Sequence, residues 1–313
     1  MLGRTAGGLF WMFRYLERTE TVARLIDAGF RIALTRSDVA EQEWASIIRT
    51  VDAEEKFLAR HEAYSAKAVI DFLLRDRSYP GSVLSMAEAA RTNAREVRTA
   101  LTREVFEATN ESYLTLKDAL ARPVAERDLP TTLNTIRQLS GLVRGALHGT
   151  MMRNDIYNFA RLGTYIERAD STARILDVKY YVLLPSLAHV GAAIDNVQWE
   201  MILRAVSALQ AYRWLNKERV SANGISSFLL HDRQLPRSLA FCCDAIVENL
   251  DHLAKDYGHP GPAQELAASH RERLMNRDIE TIIDDGLHQT LEDFITSNNM
   301  LSRQIERDYR FFE

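Results

Sequence analysis

The chain has little cysteine: Cys242 and Cys243 are its only two thiols, and they are neighbours. Adjacent helical residues point about 100° apart, so a disulfide between them would be badly strained. No disulfide framework is available, and the pair reads as two small apolar core residues in a reducing compartment. Glycine at 14 and proline at 7 are too few for a turn-rich β-sandwich. No apolar run reaches the 18 or so residues of a membrane helix; the longest uncharged stretch, 180–194, is broken by Pro185 and Gly191. The apolar patch Leu9 to Phe13 is interrupted by Arg14, Glu17 and Arg18 before a signal-peptide core develops. Together these features place the protein in the cytoplasm. A formal charge of −4, with Lys and Arg scattered along the chain, leaves no nucleic-acid footprint.

What remains is 313 residues, 46% apolar and 26% charged, enough to bury a sizeable core. Apolar positions recur with helical spacing almost throughout, and no segment alternates as a strand. The pattern predicts a first helix over about residues 8–34 and a second, capped by Ser37 or Asp38, carrying Trp44, Ile47, Ile48 and Val51. A shorter helix spans about 65–74 and ends in a turn around Pro80. Ser82 opens a long helical stretch to about Leu120 with a bend midway, and residues 122–129 with Pro123 form a linker. Helices resume at Pro130, a favourable first-turn residue, with breaks near Gly149, Pro185, Gly224, Pro236 and Gly258-His259-Pro260. The fold class is all-α.

The sequence also contains an internal repeat. Tyr15-Leu16-Glu17-Arg18-Thr19-Glu20-Thr21-Val22-Ala23-Arg24-Leu25-Ile26-Asp27 returns 150 positions later, from Tyr165 to Asp177, with six of thirteen residues identical. The element Phe72 to Ser82 returns 156 positions later as Phe228 to Ser238, with seven of eleven identical. Two ordered matches at nearly one spacing indicate a duplication. We therefore expect an internally duplicated helical bundle of two pseudo-symmetric halves: a first repeat over residues 1–125, a connecting helix over 126–150, and a second repeat over 151–313.

On a helical wheel, Arg14, Glu20, Thr21, Arg24 and Asp27 lie within about 80° of Glu17, and apolar residues gather opposite. Arg18 stands at about 100°, on the flank of the apolar face, as does Arg168 in the second copy. An arginine there needs a partner; Asp76 and Asp232, or a carboxylate of the other copy, could supply one. Two readings follow. The repeated Glu-Arg and Asp-Arg elements are packing staples, or Glu17, Arg24, Glu167 and Arg174 face an arginine-lined cleft between the repeats, joined by Arg4 and Arg153. Such arginines suit carboxylate or phosphate groups. The Phe-Leu-Leu-x-Asp-Arg-x-x-Pro-x-Ser element reads as helix, turn and capped helix start. Arg77, Arg233 and Arg237 beside it would favour an anion.

Other chemistries find no support. No histidine follows a glutamate at the di-iron spacing, and Glu248/His252 and Asp284/His288 are lone pairs on solvated faces. Asp284-Asp285 lacks the second aspartate cluster of a diphosphate site, and Gly7-Gly8 lacks a P-loop's Lys-Ser/Thr. No metal or cofactor is expected. The tail Tyr309 to Glu313, with three aromatics, should fold back on the chain's own core.

The opening Met1-Leu2-Gly3-Arg4, Phe10 to Arg18 and Ala23-Arg24-Leu25 resemble the start of the bacterial alpha-E domain proteins. Met151 to Asp155 with Leu162-Gly163-x-Tyr165-Ile166-Glu167-Arg168 resembles that family's second signature, and Leu229 to Ser238 its third. Phe13 stands where the family's first motif usually has glycine, which Gly163 retains in the second copy. The resemblance covers essentially the whole chain. It implies an accessory partner of a circularly permuted ATP-grasp protein, often near transglutaminase-like or other peptidase-like proteins. ATP-grasp chemistry forms amide bonds through acyl-phosphates, so such a partner would bind the ligase and an acidic, peptide or amino-acid substrate. The alternatives are an enzyme using Glu17 or Glu167 as acid/base and a purely structural assembly module.

Overall fold

The computed structural model describes residues 1–35, 40–183, 193–216 and 221–312, and among them there are helices and turns but no strand. The first helices are α1 (Gly3–Thr35), α2 (Ala40–Thr50), α3 (Glu54–Leu58), α4 (Ala66–Arg75), α5 (Val83–Glu96), α6 (Arg103–Ala119) and α7 (Leu129–Thr150). Then follow α8 (Asp155–Leu183), α9 (Ala193–Ala205), α10 (Leu209–Leu215), α11 (Ala222–His231), α12 (Leu239–Tyr257), α13 (Pro262–Met275), α14 (Ile279–Asp285) and α15 (Leu287–Asp308). Two compact units divide the chain: Met1–Thr164 with Arg310–Glu313, and Tyr165–Tyr309.

In the first unit α1 is the central element and packs on α5 and α7. Leu9, Phe10, Met12, Phe13, Leu25 and Ile26 are all buried, and they are spread round the helix rather than confined to one stripe. A helix with that distribution must be covered on several sides. Gly7 and Gly8 lie inside α1, where a Cβ would press on Phe311 and Val97. Likewise a Cβ at Gly163, in the first turns of α8, would strike the Phe10 carbonyl, so the glycine permits close helix approach. Phe311 folds onto this core, 5.4 Å from the Phe10 ring and 6.0 Å from Phe159, as expected for the tail.

Several boundaries differ from the sequence reading. The stretch 82–120 is two helices, because the chain turns through a 3₁₀ segment at Arg98–Ala100 and restarts under a Thr102 cap. Ser65 and Ser82 cap α4 and α5 through their hydroxyls. The break near Gly224 falls just ahead of it, at the Ser221 cap that accepts its N–H as α11 begins. The proposed caps Ser37 and Asp38 and the break at Pro185 lie outside the described residues.

In the second unit α12 packs on α13, and α13 on α15. The α15 stripe Leu287, Leu291, Phe294, Leu301 and Ile305 is buried at helical spacing. Ser221 and Ser238 cap α11 and α12, and Gly258, at φ 84°, ends α12 in the left-handed conformation that glycine tolerates. Cys242 and Cys243 are both buried and free, and burial pushes the Cys243 thiol well above its usual value. They serve as core residues, as read.

His270 of α13 is 4% exposed and sits 4.3 Å from the Phe294 ring. Burial, helped by the Arg273 charge, lowers its pKa to about 4. The folded state therefore keeps it neutral while the unfolded chain takes up a proton below about pH 6.5, so stability falls as pH drops from about 6.5 to 4. The expected loss is about 2–3 kcal/mol. Urea unfolding at pH 7.5 and 4.5 checks it: His270→Phe should lose less stability between the two than wild type, and equal losses would contradict the assignment.

Candidate functional site

About three and a half turns of α1 carry the first motif, and its charged face is not open. Glu17 and Glu20 are each 1% exposed, because α7 lies across them. Arg144 of α7 reaches both, with Nη1 3.3 Å from Glu17 Oε2 and in direct contact with Glu20. Arg24 turns back one helical turn, its Nε 3.0 Å from Glu20 Oε1. Asp27 completes the row with Arg137 of α7 at 3.4 Å and Arg31 at 3.3 Å. Between the ion pairs, the Ser140 hydroxyl lies 3.5 Å from the Leu16 carbonyl, which also accepts from Thr19 at 2.8 Å. Neighbouring buried carboxylates repel and lose hydration; guanidiniums from two helices offset both terms only if they stay in place.

The second unit builds a comparable row with different chemistry. Glu167 is 2% exposed, and Arg174 Nε lies 2.8 Å from Asp170 Oδ2. The Asn298 amide of α15 donates to the Ile166 carbonyl at 2.9 Å. His288 Nδ1 is 2.6 Å from Asp177 Oδ1 and its Nε2 is 3.5 Å from Glu292. That corrects the sequence pairing of His288 with Asp284. Burial raises the Asp177 carboxyl above the usual range, against the pull of His288.

The arginine that follows each motif glutamate points elsewhere. Arg168 Nη1 donates to the Pro236 carbonyl at 3.2 Å, stitching α8 to the turn ahead of α12. Arg18 lies near Tyr79 in the corresponding turn of the first unit, where its charge opposes the upward shift that burial gives the tyrosine hydroxyl. Asp76 is not the ion partner of Arg18: one of its oxygens accepts the Ser78 N–H at 2.8 Å, and the other meets Arg60 at 3.0 Å. Asp232 accepts the N–H groups of Gln234 and Leu235, both at 2.8 Å. Both aspartates thus fold their own turns, as short polar side chains do.

The remaining expected residues fall apart from these rows. Arg77 pairs with Glu88 at 2.8 Å and Arg233 with Asp244 at 2.7 Å, both on exposed surface. Arg153 is exposed, donating to the His148 carbonyl at 2.8 Å and lying 4.0 Å over Tyr157. Arg4 is exposed and Arg237 half-buried. The structure therefore puts Glu17 and Arg24 in one row with Glu20 and Arg144, and Arg18 near Tyr79 of the turn whose chain also carries Asp76 and Arg77. In the second unit Arg168, Asp232, Arg233 and Arg237 share the Pro236 turn. Arg144, Arg137 and Ser140 were missed, although their i, i+3, i+7 spacing marks a polar stripe on α7. Among the described residues no group of three His, Cys, Asp or Glu is placed to hold a metal ion.

Removing Arg144 takes one guanidinium from two buried carboxylates, of which Glu20 keeps Arg24. Arg144→Met should cost about 3–5 kcal/mol, whereas Arg77→Ala should cost under about 1 kcal/mol. Denaturant unfolding compares them directly, and similar costs would show that the cluster holds nothing together.

No helix among the described residues is long and apolar enough to cross a membrane. No solved structure matches the chain. Curated relatives are an uncharacterized protein of Mycobacterium bovis and two of Mycobacterium tuberculosis, each 23% identical over 327 aligned positions that take in 96% of this chain. The aligned part is 36% of each relative, so the chain spans about a third of their length. A family described as a predicted alpha-helical domain with a conserved ER motif matches residues 1–310. With buried glutamates and turn-holding arginines at both Glu-Arg pairs, the chain belongs to the Alpha-E family.

Proposed function

We propose that this chain is a non-catalytic, internally duplicated helical subunit that docks on an ATP-grasp-type amide or peptide ligase. One observation carries the non-catalytic part: the ionisable residues of the first motif are engaged within their own unit, Glu17 by Arg144 and Arg24 by Glu20. A general acid or base must reach the proton it transfers, and a carboxylate 1% exposed beneath a guanidinium is better suited to holding two helices together. The partner class comes from the resemblance of the motifs. The relatives' greater length supports a domain that works beside other polypeptide, because they carry the matched region as a minor part of a longer chain.

Local geometry supports the duplication. Ser65 and Ser221, and Ser82 and Ser238, cap helices 156 positions apart. Asp52 and Ser207 turn the chain at φ 55° and 57° at the ends of α2 and α9. Arg77–Glu88 and Arg233–Asp244 repeat one ion pair, and the Leu16 and Ile166 carbonyls each receive a polar side chain from a later helix. These matches fit repeats over 1–125 and 151–313, joined through 126–150. The two reduced, buried thiols fit a cytoplasmic setting.

The test is co-purification with the ATP-grasp protein from the same source, following ATP turnover with and without this chain. A stable complex with raised turnover is expected. No complex at about 10 μM of each protein, with turnover unchanged, would overturn the reading.

A further inference from the structure

A groove of about 620 Å³ lies between α13 and α15 in the second unit, a volume typical of small-molecule sites. Its wall includes His270, which is buried and whose Nε2 has no hydrogen-bond partner among the described residues. A buried imidazole nitrogen left unmet is costly and uncommon. Phe294, against the His270 ring, gives the same wall an apolar face.

Several charges of the groove are not joined to a counter-charge. Arg273 crosses to α15, where its Nη2 meets the Ser297 hydroxyl at 3.3 Å, and it has no carboxylate within ion-pairing distance among the described residues. Arg277 is committed: it holds Asp285 at 2.8 Å and the Thr290 hydroxyl at 3.2 Å. On the acidic side, Asp293 takes only the Gln289 amide, at 3.0 Å, and Glu272 only the Asn276 amide, at 3.4 Å. One guanidinium and two carboxylates thus line a single groove without meeting a counter-charge. A simple anion would leave the carboxylates unanswered, and a simple cation would leave Arg273 so.

We propose that this groove binds a free α-amino acid with a large apolar or aromatic side chain. The ligand carboxylate sits between Arg273 and the Ser297 hydroxyl, where charge-assisted hydrogen bonds are strong. Its ammonium faces Asp293, and its side chain lies along the His270–Phe294 wall. The neutral His270 ring gives that side chain an uncharged surface to pack on. The site is separate from the motif rows and is read on the isolated chain. Its failure would leave the ligase reading standing, and the reverse holds too.

Calorimetric titration of the purified chain tests the proposal with three probes: L-phenylalanine, 3-phenylpropanoate, which lacks the ammonium, and 2-phenylethylamine, which lacks the carboxylate. L-Phenylalanine should bind at least about tenfold more tightly than either truncated probe, each having lost one charge-assisted contact. Arg273→Gln should bring L-phenylalanine down to the level of the amine, and Asp293→Asn down to that of the carboxylate. Both side chains are exposed, so both variants should fold, and His270 ring resonances should shift on titration in wild type. No binding of L-phenylalanine at about 10 mM, equal binding of 3-phenylpropanoate, or affinity unchanged in both variants would each overturn it.

Discussion

The first unit depends on keeping two carboxylates dehydrated side by side. Glu17 and Glu20 lie on the central helix α1, and their burial is tolerable only while Arg144 and Arg24 stay in contact with them. That requirement fixes α7 relative to α1 in position and rotation, because Arg144 must arrive opposite Glu17 while Arg137 arrives opposite Asp27. Apolar packing alone specifies such registry less sharply: a helix can slide by a turn and still bury leucines. Charge pairs allow no such slip, since each misplaced partner leaves a buried ion unanswered.

The Glu-Arg pair therefore has two jobs on two faces of one helix. Its glutamate takes part in the row beneath α7, and its arginine turns toward the proline turn that starts the next long helix, as at Arg168 and Pro236. Adjacent residues on a helix point about 100° apart, so the dipeptide is the shortest way to tie one helix to two neighbours at once. In this light the motif ties helices together within each unit. The surface beyond it, and the groove beside His270, are where the molecule can meet other chemistry.

Much of this was legible in the sequence. Helical periodicity identified the all-α class, and the Ser82 cap and the proline turns were found where their side-chain chemistry placed them. The wheel correctly gathered Glu17, Glu20, Arg24 and Asp27 on one face. It left that face open between a packing staple and a cleft, because a single helix cannot reveal that another helix carries the complementary stripe. Arg137, Ser140 and Arg144 lie more than a hundred residues away in the sequence, and only the fold brings them together. Asp76 and Asp232 misled for a different reason: short-range bonds to their own turn outcompeted the long-range pairing expected of them. The His270 groove left no motif, since its members come from two helices at unrelated spacing.

A double-mutant cycle between Glu17 and Arg144 tests the central claim most directly. Glu17→Gln, Arg144→Gln and the double variant are compared with wild type by urea unfolding. The account predicts a coupling energy of about 2 kcal/mol or more, because Arg144→Gln takes a guanidinium from the buried Glu17 carboxylate, a loss that disappears once residue 17 is neutral. A coupling below about 0.5 kcal/mol, the value of an exposed surface pair, would contradict it.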